Sequence, residues 1–369
     1  MSKIKIETLT SLHIGSGTML QNGSDFVVGK DADDYEIIGV ISPRKILCLI
    51  GEEKSKIDEW VIGIERNRST ENLVRRYSPK ATIEDYSERI ISNWSEVKNN
   101  ETLKEFIHDG LGRPYIPGSS IKGAIRTAVL AQLAGNVNAE FIIANQRGKL
   151  SADAVEKELF GSDPNHDVFR FLKIGDAIFS TKDEMVAIRM VNINERTSQS
   201  YWDNSKGQLI EALASEQETH FNMKLDMVQY ENAIGKVHQM PTCMTTIPLL
   251  FQTINTHTIH LLKTEIAYWE ERKNNPTADK VEVYLEKLAE ILVAAKDCNE
   301  NSCILRIGHG SGWRFITGAW TEDMHIFDSK IVPASRPGNN RYDEYEFPKS
   351  RRVDEECELL GFVRLTIDN

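Results

Sequence analysis

Three short stretches combine glycines with cationic or imidazole side chains. The first is Leu9-Thr-Ser-Leu-His13-Ile-Gly15-Ser16-Gly17, and the second is Tyr115-Ile-Pro-Gly118-Ser119-Ser120-Ile-Lys122-Gly-Ala-Ile-Arg126. The third runs Leu305-Arg306-Ile-Gly308-His309-Gly310-Ser-Gly312-Trp313-Arg314. The windows around them, residues 8–24, 110–139 and 302–320, hold no Asp or Glu. The whole-chain frequency of acids would place about ten there. The chemistry this suits is the binding of a phosphate backbone. Glycine lets backbone N–H groups approach an anion with no Cβ in the way, and a helix N-terminus adds unpaired donors and partial positive charge. Gly118-Ser119-Ser120 at the head of a helix supplies both. Lys122 and Arg126, four residues apart, share one helical face and suit adjacent phosphates. On spacing alone, a capped turn with a solvated basic face fits the second loop equally well.

The elements that must position these loops are legible in outline. Lys3-Ile4-Lys5-Ile6-Glu7 alternates as a half-buried strand does, and further strand-like runs follow at Phe26 to Val28 and Tyr35 to Ile41. From about 43 to 108 the pattern turns charged and helical, with Trp60, Ile64, Ile83, Tyr86, Ile90, Ile91 and Trp94 as its apolar side, which predicts a helical insertion. A helix from Ile121 to Leu133, with Ser119 or Ser120 as N-cap, precedes strands at Val168 to Ser180, Glu184 to Asn194 and within Gln208 to Val228. Beyond Met240-Pro241 come helices over Leu249 to Lys273 and Ala278 to Lys296, then strands at Ser302 to Ile307 and Leu359 to Ile367. The order predicts an α+β protein of two ferredoxin-like, RRM-like domains with antiparallel sheets. The N-terminal domain spans 1–239 and a degenerate copy spans 240–369.

Other chemistry is disfavoured. Gly118 to Gly123 has the glycine spacing of a P-loop, but Ala124-Ile125 stands where Lys and Ser/Thr are required. Gly308, Gly310 and Gly312 make GxGxG without the βαβ context of a dinucleotide site. The five cysteines, Cys48, Cys243, Cys298, Cys303 and Cys357, are scattered, and no histidine has ligand-spaced partners. No cofactor and no metal are expected. His108-Asp109 and His166-Asp167 lack the partners of a metal phosphohydrolase. His13 as a general base, or Asp25, Asp31, Asp33 and Asp34 around a scissile phosphate, would make an endoribonuclease. An acidic hairpin tip is the plainer account of those aspartates.

With 44 Lys+Arg against 55 Asp+Glu, the 369-residue chain carries a formal charge of −11. This excludes coating of nucleic acid or an anionic membrane by bulk charge, so any polyanion must be gripped locally. There is no run of about 18 apolar residues, and Met1-Ser2-Lys3-Ile4-Lys5 lacks the core of a signal peptide. A soluble, cytoplasmic protein without a membrane partner is expected.

The three glycine stretches, in this order, resemble signatures of the RAMP superfamily of CRISPR-associated proteins. The ending, Phe347-Pro-Lys349-Ser-Arg351-Arg352 and Leu360-Gly-Phe-Val-Arg364, resembles that of the subunit capping the guide RNA 3′ end in type III-A (Csm) effector complexes. The resemblance implies a non-catalytic crRNA-binding subunit in antiviral defence. It implies binding of the 3′ portion of crRNA and contact with backbone RAMP subunits and small subunits of the Csm complex. Target RNA would be met indirectly, and trimming nucleases are the further partners implied for crRNA maturation. Carried over by motif, the RNA contacts are His13, Gly15, Ser16, Gly17, Gly118, Ser119, Ser120, Lys122 and Arg126 in one groove. Arg306, Gly308, His309, Gly310, Gly312, Trp313 and Arg314 form a second, and Arg196 sits in a thumb-like hairpin with Tyr201 or Trp202 to stack on a base. The alternative within the family is an endoribonuclease acting on crRNA precursor or target RNA.

Overall fold

The alternation at the N-terminus becomes the strand Ser2–Thr8, whose Ile4 and Ile6 are fully buried. In the computed structural model, which describes residues 1–66, 68–146, 150–182, 184–195, 201–274, 278–335 and 346–368, this strand is central to a five-stranded sheet. Across that sheet run Ser302–Arg306, Phe362–Asp368, Ser2–Thr8, Glu218–Leu225 and Leu172–Ile174, each antiparallel to its neighbour. Helices Gly118–Leu133 and Ile247–Glu270 pack together and bury Ile121, Ile125, Leu250 and Ile254 in one core with Ile4, Phe221 and Leu365. Strand, helix, two strands, helix and a last strand beside the first is the ferredoxin-like order. The strand that completes it comes from the C-terminus. The expected boundary at 239/240 thus falls between two elements of one sheet and one core.

A second sheet of eight strands is assembled from the segments between. It is ordered Gly15–Gln21, Thr102–Phe106, Trp202–Leu213, Met185–Asn194, Ser87–Asn93, Glu36–Ile41 and Phe26–Lys30, with Ser350–Asp354 also paired to Met185–Asn194. Two of its pairings, Met185–Asn194 with Ser87–Asn93 and Trp202–Leu213 with Thr102–Phe106, are parallel, so this sheet is mixed where antiparallel pairing was expected. The insertion also differs from its forecast. It is helical from Pro43 to Tyr86, but Ser87–Asn93 and Thr102–Phe106 are strands. Ile90 and Ile91 match a helical stripe only by count. In the strand Ile91 is fully buried, while Arg89 turns toward a buried carboxylate.

That carboxylate belongs to one of two buried ionic centres that bear on the glycine loops. Glu211, on Trp202–Leu213, is fully buried and accepts from Arg89 Nε at 2.9 Å, Arg89 Nη2 at 3.0 Å and the Phe106 amide at 3.0 Å. The other centre is Glu265, fully buried on Ile247–Glu270. Its Oε1 accepts from Arg351 Nε at 2.5 Å, Trp269 Nε1 at 2.9 Å and Tyr284 OH at 3.0 Å, and its Oε2 accepts from Arg314 Nη1 at 2.5 Å. Burial alone would raise its pKa, but the charges and hydrogen bonds of Arg351 and Arg314 outweigh it and hold the group at about 2.

Removing that carboxylate strands the buried Arg351 guanidinium and leaves Arg314 with Glu322 alone. Glu265→Ala is expected to cost roughly 3–5 kcal/mol, read by chemical denaturation. The folded pKa lies below the ordinary 4.5, so this contribution is complete above pH 4.5 and is lost as pH falls toward 2. The difference in stability between wild type and variant should shrink over that window and stay constant from pH 6 to 8.

Candidate nucleic-acid interface

The first and third glycine loops meet. His309 N–H donates to the His13 carbonyl at 2.8 Å, and the two imidazole rings lie edge to face with centroids 5.8 Å apart. Gly308 makes this approach possible. It sits at φ +84°, and a Cβ there would come within 2.6 Å of the His13 carbonyl oxygen. His13 itself is 2% exposed, with Nδ1 at 2.6 Å from the Glu211 carbonyl oxygen, which only accepts, so Nδ1 carries the proton. Burial lowers its pKa to about 4 despite that hydrogen bond, leaving a neutral imidazole at pH 7. Its role is to join the two loops to the second sheet.

Beside this junction two cations and a neutral imidazole share one surface. Lys104, His309 and Arg352 come from the strand Thr102–Phe106, the third loop and the strand Ser350–Asp354. Lys104 Nζ lies 3.5 Å from His309 Nε2. Burial and then Arg352 lower the Lys104 pKa, while burial, Lys104 and Arg352 in turn lower that of His309. Arg352 is lowered by burial, against the opposing pull of Asp203. Two cations held near one another at a cost to Lys104, beside an imidazole that burial and their charge keep neutral, suit an anion that relieves the repulsion. Strand register explains their meeting. Lys104 pairs with Ile210 and Arg352 with Asn192, so both side chains stand on the face that carries Ile188, Met190 and Ile210. Gly310 of the third loop lies over Met190 on that face.

The other basic residues of the motifs are occupied within the protein. Arg306 is 6% exposed, donates from Nε to the Leu360 carbonyl at 2.9 Å and lies in the corner formed by the Phe315 and Phe362 rings. Arg314 holds Glu265 and Glu322, and Arg351 holds Glu265. Arg126 bridges Glu156 at 2.7 Å and Asp167 at 2.8 Å across the Phe160 ring. These guanidinium groups brace the fold in place of the RNA contacts expected of Arg126, Arg306 and Arg314. Trp313 likewise packs edge-on against Phe347 at 4.7 Å. Tyr201 packs on Trp269, and Lys280 lies over Trp202. Arg196 falls outside the described residues.

The second loop forms a separate basic spot. The helix begins at Gly118 without a side-chain cap, so neither Ser119 nor Ser120 is the N-cap. Instead Asp176 Oδ1 accepts from the Gly118 N–H at 2.7 Å and takes one of the donors expected to face phosphate. Ser119 is exposed, while Ser120 and Lys122 are half-buried. Burial lowers the Lys122 pKa, and Arg126 adds to this against Asp167. Gly15, Ser16 and Gly17 are exposed at the sheet edge, with Ser16 Oγ donating to Glu105 at 2.9 Å. Asp25, the alternative catalytic acid, accepts the Gln21 amide at 2.8 Å. Among the described residues no group of three or more His, Cys, Asp or Glu is placed to hold a metal ion, and no helix is long and apolar enough to cross a membrane.

Residues 5–315 match the family described as the RAMP superfamily. The chain belongs to the RAMP superfamily. This RAMP protein is 26% identical to the CRISPR system Cms protein Csm5 of Methanocaldococcus jannaschii, over 99% of this chain and 88% of the relative. Its fold resembles a chain of a type III-A Csm–crRNA–target RNA ternary complex, with TM-score 0.70, 18% identity and full coverage of both chains. It also resembles T. onnurineus Csm5, with TM-score 0.65 and 17% identity over 97% of this chain and 99% of that one.

Within this RAMP protein the glycine motifs build the floor of the candidate interface, whereas its two cations, Lys104 and Arg352, come from strands outside them. Lys104 carries no local signal, because only sheet pairing brings it to the third loop. The Lys104–His309 coupling is open to direct measurement. Lys104→Gln removes the neighbouring positive charge, so the His309 pKa is expected to rise. A titration of the imidazole resonances by NMR reads this shift, and His13 should stay neutral near pH 7 in both proteins.

Proposed function

We propose that this RAMP protein is a non-catalytic RNA-binding subunit of a type III-A CRISPR effector complex. It holds the 3′ portion of the crRNA, caps the filament of backbone RAMP subunits there, and meets the small subunits and target RNA through that assembly. Near-complete coverage of a CRISPR Csm5 protein and the fold of a chain from a Csm–crRNA–target RNA complex support the placement. The observation that carries RNA binding is the cluster of Lys104, Arg352 and the His309 imidazole, gathered on one face with no carboxylate among their hydrogen-bonded partners in the described residues. Phosphates are the ligands that such a cluster fits. Lys122 with Ser119 and Ser120 offers a second contact along the strand, and Gly15, Ser16 and Gly17 leave the backbone open beside it.

Binding is favoured over cleavage because both candidate catalytic groups are engaged. His13 is buried and fixed to the Glu211 carbonyl, and Asp25 holds a loop amide. RNA contact through phosphates is largely independent of base sequence.

The combined variant Lys104→Glu with Arg352→Glu is expected to strip most co-purifying RNA, measured on denaturing gels of the protein expressed with its complex. The salt dependence of residual RNA affinity should lose about one unit of slope per phosphate contact removed. Full crRNA occupancy in that variant would overturn the proposal, as would RNA cleavage by the purified wild type that is lost on His13→Ala or Asp25→Ala.

A further inference from the structure

Among the described residues, buried side-chain atoms without a hydrogen-bond partner include Gln208 Oε1 and Arg352 Nη1. These two share the face described above. Gln208 pairs across the sheet with Met190, and Met190 pairs on its other side with Asp354, two residues along from Arg352. Lys104 pairs with Ile210, two residues along from Gln208 on the same strand and face. Read across the strands, Gln208 therefore stands between Lys104 and Arg352, next to Met190 under the Gly310 backbone. An unpaired acceptor in such a place is costly, because it has given up its water without gaining a partner. The arrangement is cation, acceptor, cation.

We propose that the half-buried Gln208, whose Oε1 is closed to solvent here, turns its carboxamide outward on RNA binding to accept the hydrogen bond of a ribose 2′-hydroxyl, and so selects RNA over DNA at this surface. The inference rests on the RNA-binding reading and adds the specificity-determining residue to it. Two successive phosphates are the acceptors that Lys104 and Arg352 require, and the sugar between them carries a hydroxyl only in RNA. A deoxyribose leaves Gln208 Oε1 unpaired beneath the strand. A 2′-O-methyl ribose does the same, since it keeps the oxygen and loses the donated hydrogen. Phosphate contacts alone would hold both nucleic acids equally.

The test uses the purified full chain and labelled single strands of one sequence, made as RNA, as 2′-O-methyl RNA and as DNA, with affinities read by fluorescence anisotropy. Wild type is expected to bind RNA about five- to tenfold more tightly than the other two, the range for one hydrogen bond. Gln208→Met should bring RNA to the affinity of DNA and leave DNA unchanged. Equal binding of the three strands by wild type overturns the inference without recourse to any variant, and so does an undiminished RNA preference in Gln208→Met. Lys104→Glu with Arg352→Glu should weaken all three strands together. RNA affinity unaffected by that pair, or no RNA binding by wild type, overturns the RNA-binding reading as well.

Discussion

A carboxylate buried at the centre of four segments sets the geometry of the third glycine loop. Glu265 cannot be left alone away from water, because an isolated ionised carboxylate in the interior is strongly unfavourable. Arg314, Arg351, Trp269 and Tyr284 satisfy it, and they arrive from the loop's end, the strand Ser350–Asp354 and both long C-terminal helices. Each segment is thereby placed relative to the others to within hydrogen-bond tolerance. Arg352, next along the strand from Arg351, is fixed by the same constraint, and so is the loop that carries His309. The Gly308 contact with His13 then transfers that placement to the first loop and, through the Glu211 carbonyl, to the second sheet.

The same constraint divides the motif arginines by role. Three windows of sequence without acids look like uncompensated positive charge, yet Arg126, Arg306 and Arg314 are all absorbed by partners far along the chain. Glu156 and Asp167 reach Arg126, the Leu360 carbonyl reaches Arg306, and Glu265 reaches Arg314. A local count of charge does not see these partners, since folding alone makes them neighbours. What the windows do report correctly is backbone behaviour. Gly308, Gly310 and Gly312 all adopt positive φ, and Gly308 and Gly310 each lie where a Cβ would press on the first loop or on Met190.

Fold class and most regular elements were legible, for physical reasons that differ by element. Met185–Asn194 is a mostly apolar run interrupted by Arg189 and Asn192, and Asp279–Lys296 a regular stripe, so each declares its element without tertiary help. Ser87–Asn93 does not, because its inward residues include Arg89 and Asn93, polar groups whose burial depends on Glu211 and Glu36. The mixed sheet was hidden for a related reason. Parallel pairing between strands about a hundred residues apart leaves no mark at the turns, whereas antiparallel hairpins announce themselves there. The interface follows the same rule. His309 was visible in its glycine loop, but Lys104 and Gln208 acquire meaning only from register, Lys104 opposite Ile210 and Gln208 opposite Met190.

Net charge looks different once its distribution is known. An excess of eleven acids over bases argues against indiscriminate attraction to nucleic acid, and it also sharpens a small cationic surface by contrast. Among the described residues many cations already face carboxylates, so a diffusing polyanion gains little by touching those. Lys104, Arg352 and the His309 imidazole are instead set together on a platform of Ile188, Met190 and Ile210, where Arg352 opposes the charge on Lys104 and both oppose protonation of His309. Burial strengthens that repulsion and would equally strengthen attraction to phosphate, because both scale with the local dielectric. A strand that neutralises the cluster therefore gains most where the protein, without it, is most strained, and selectivity arises from this local imbalance against an acidic remainder.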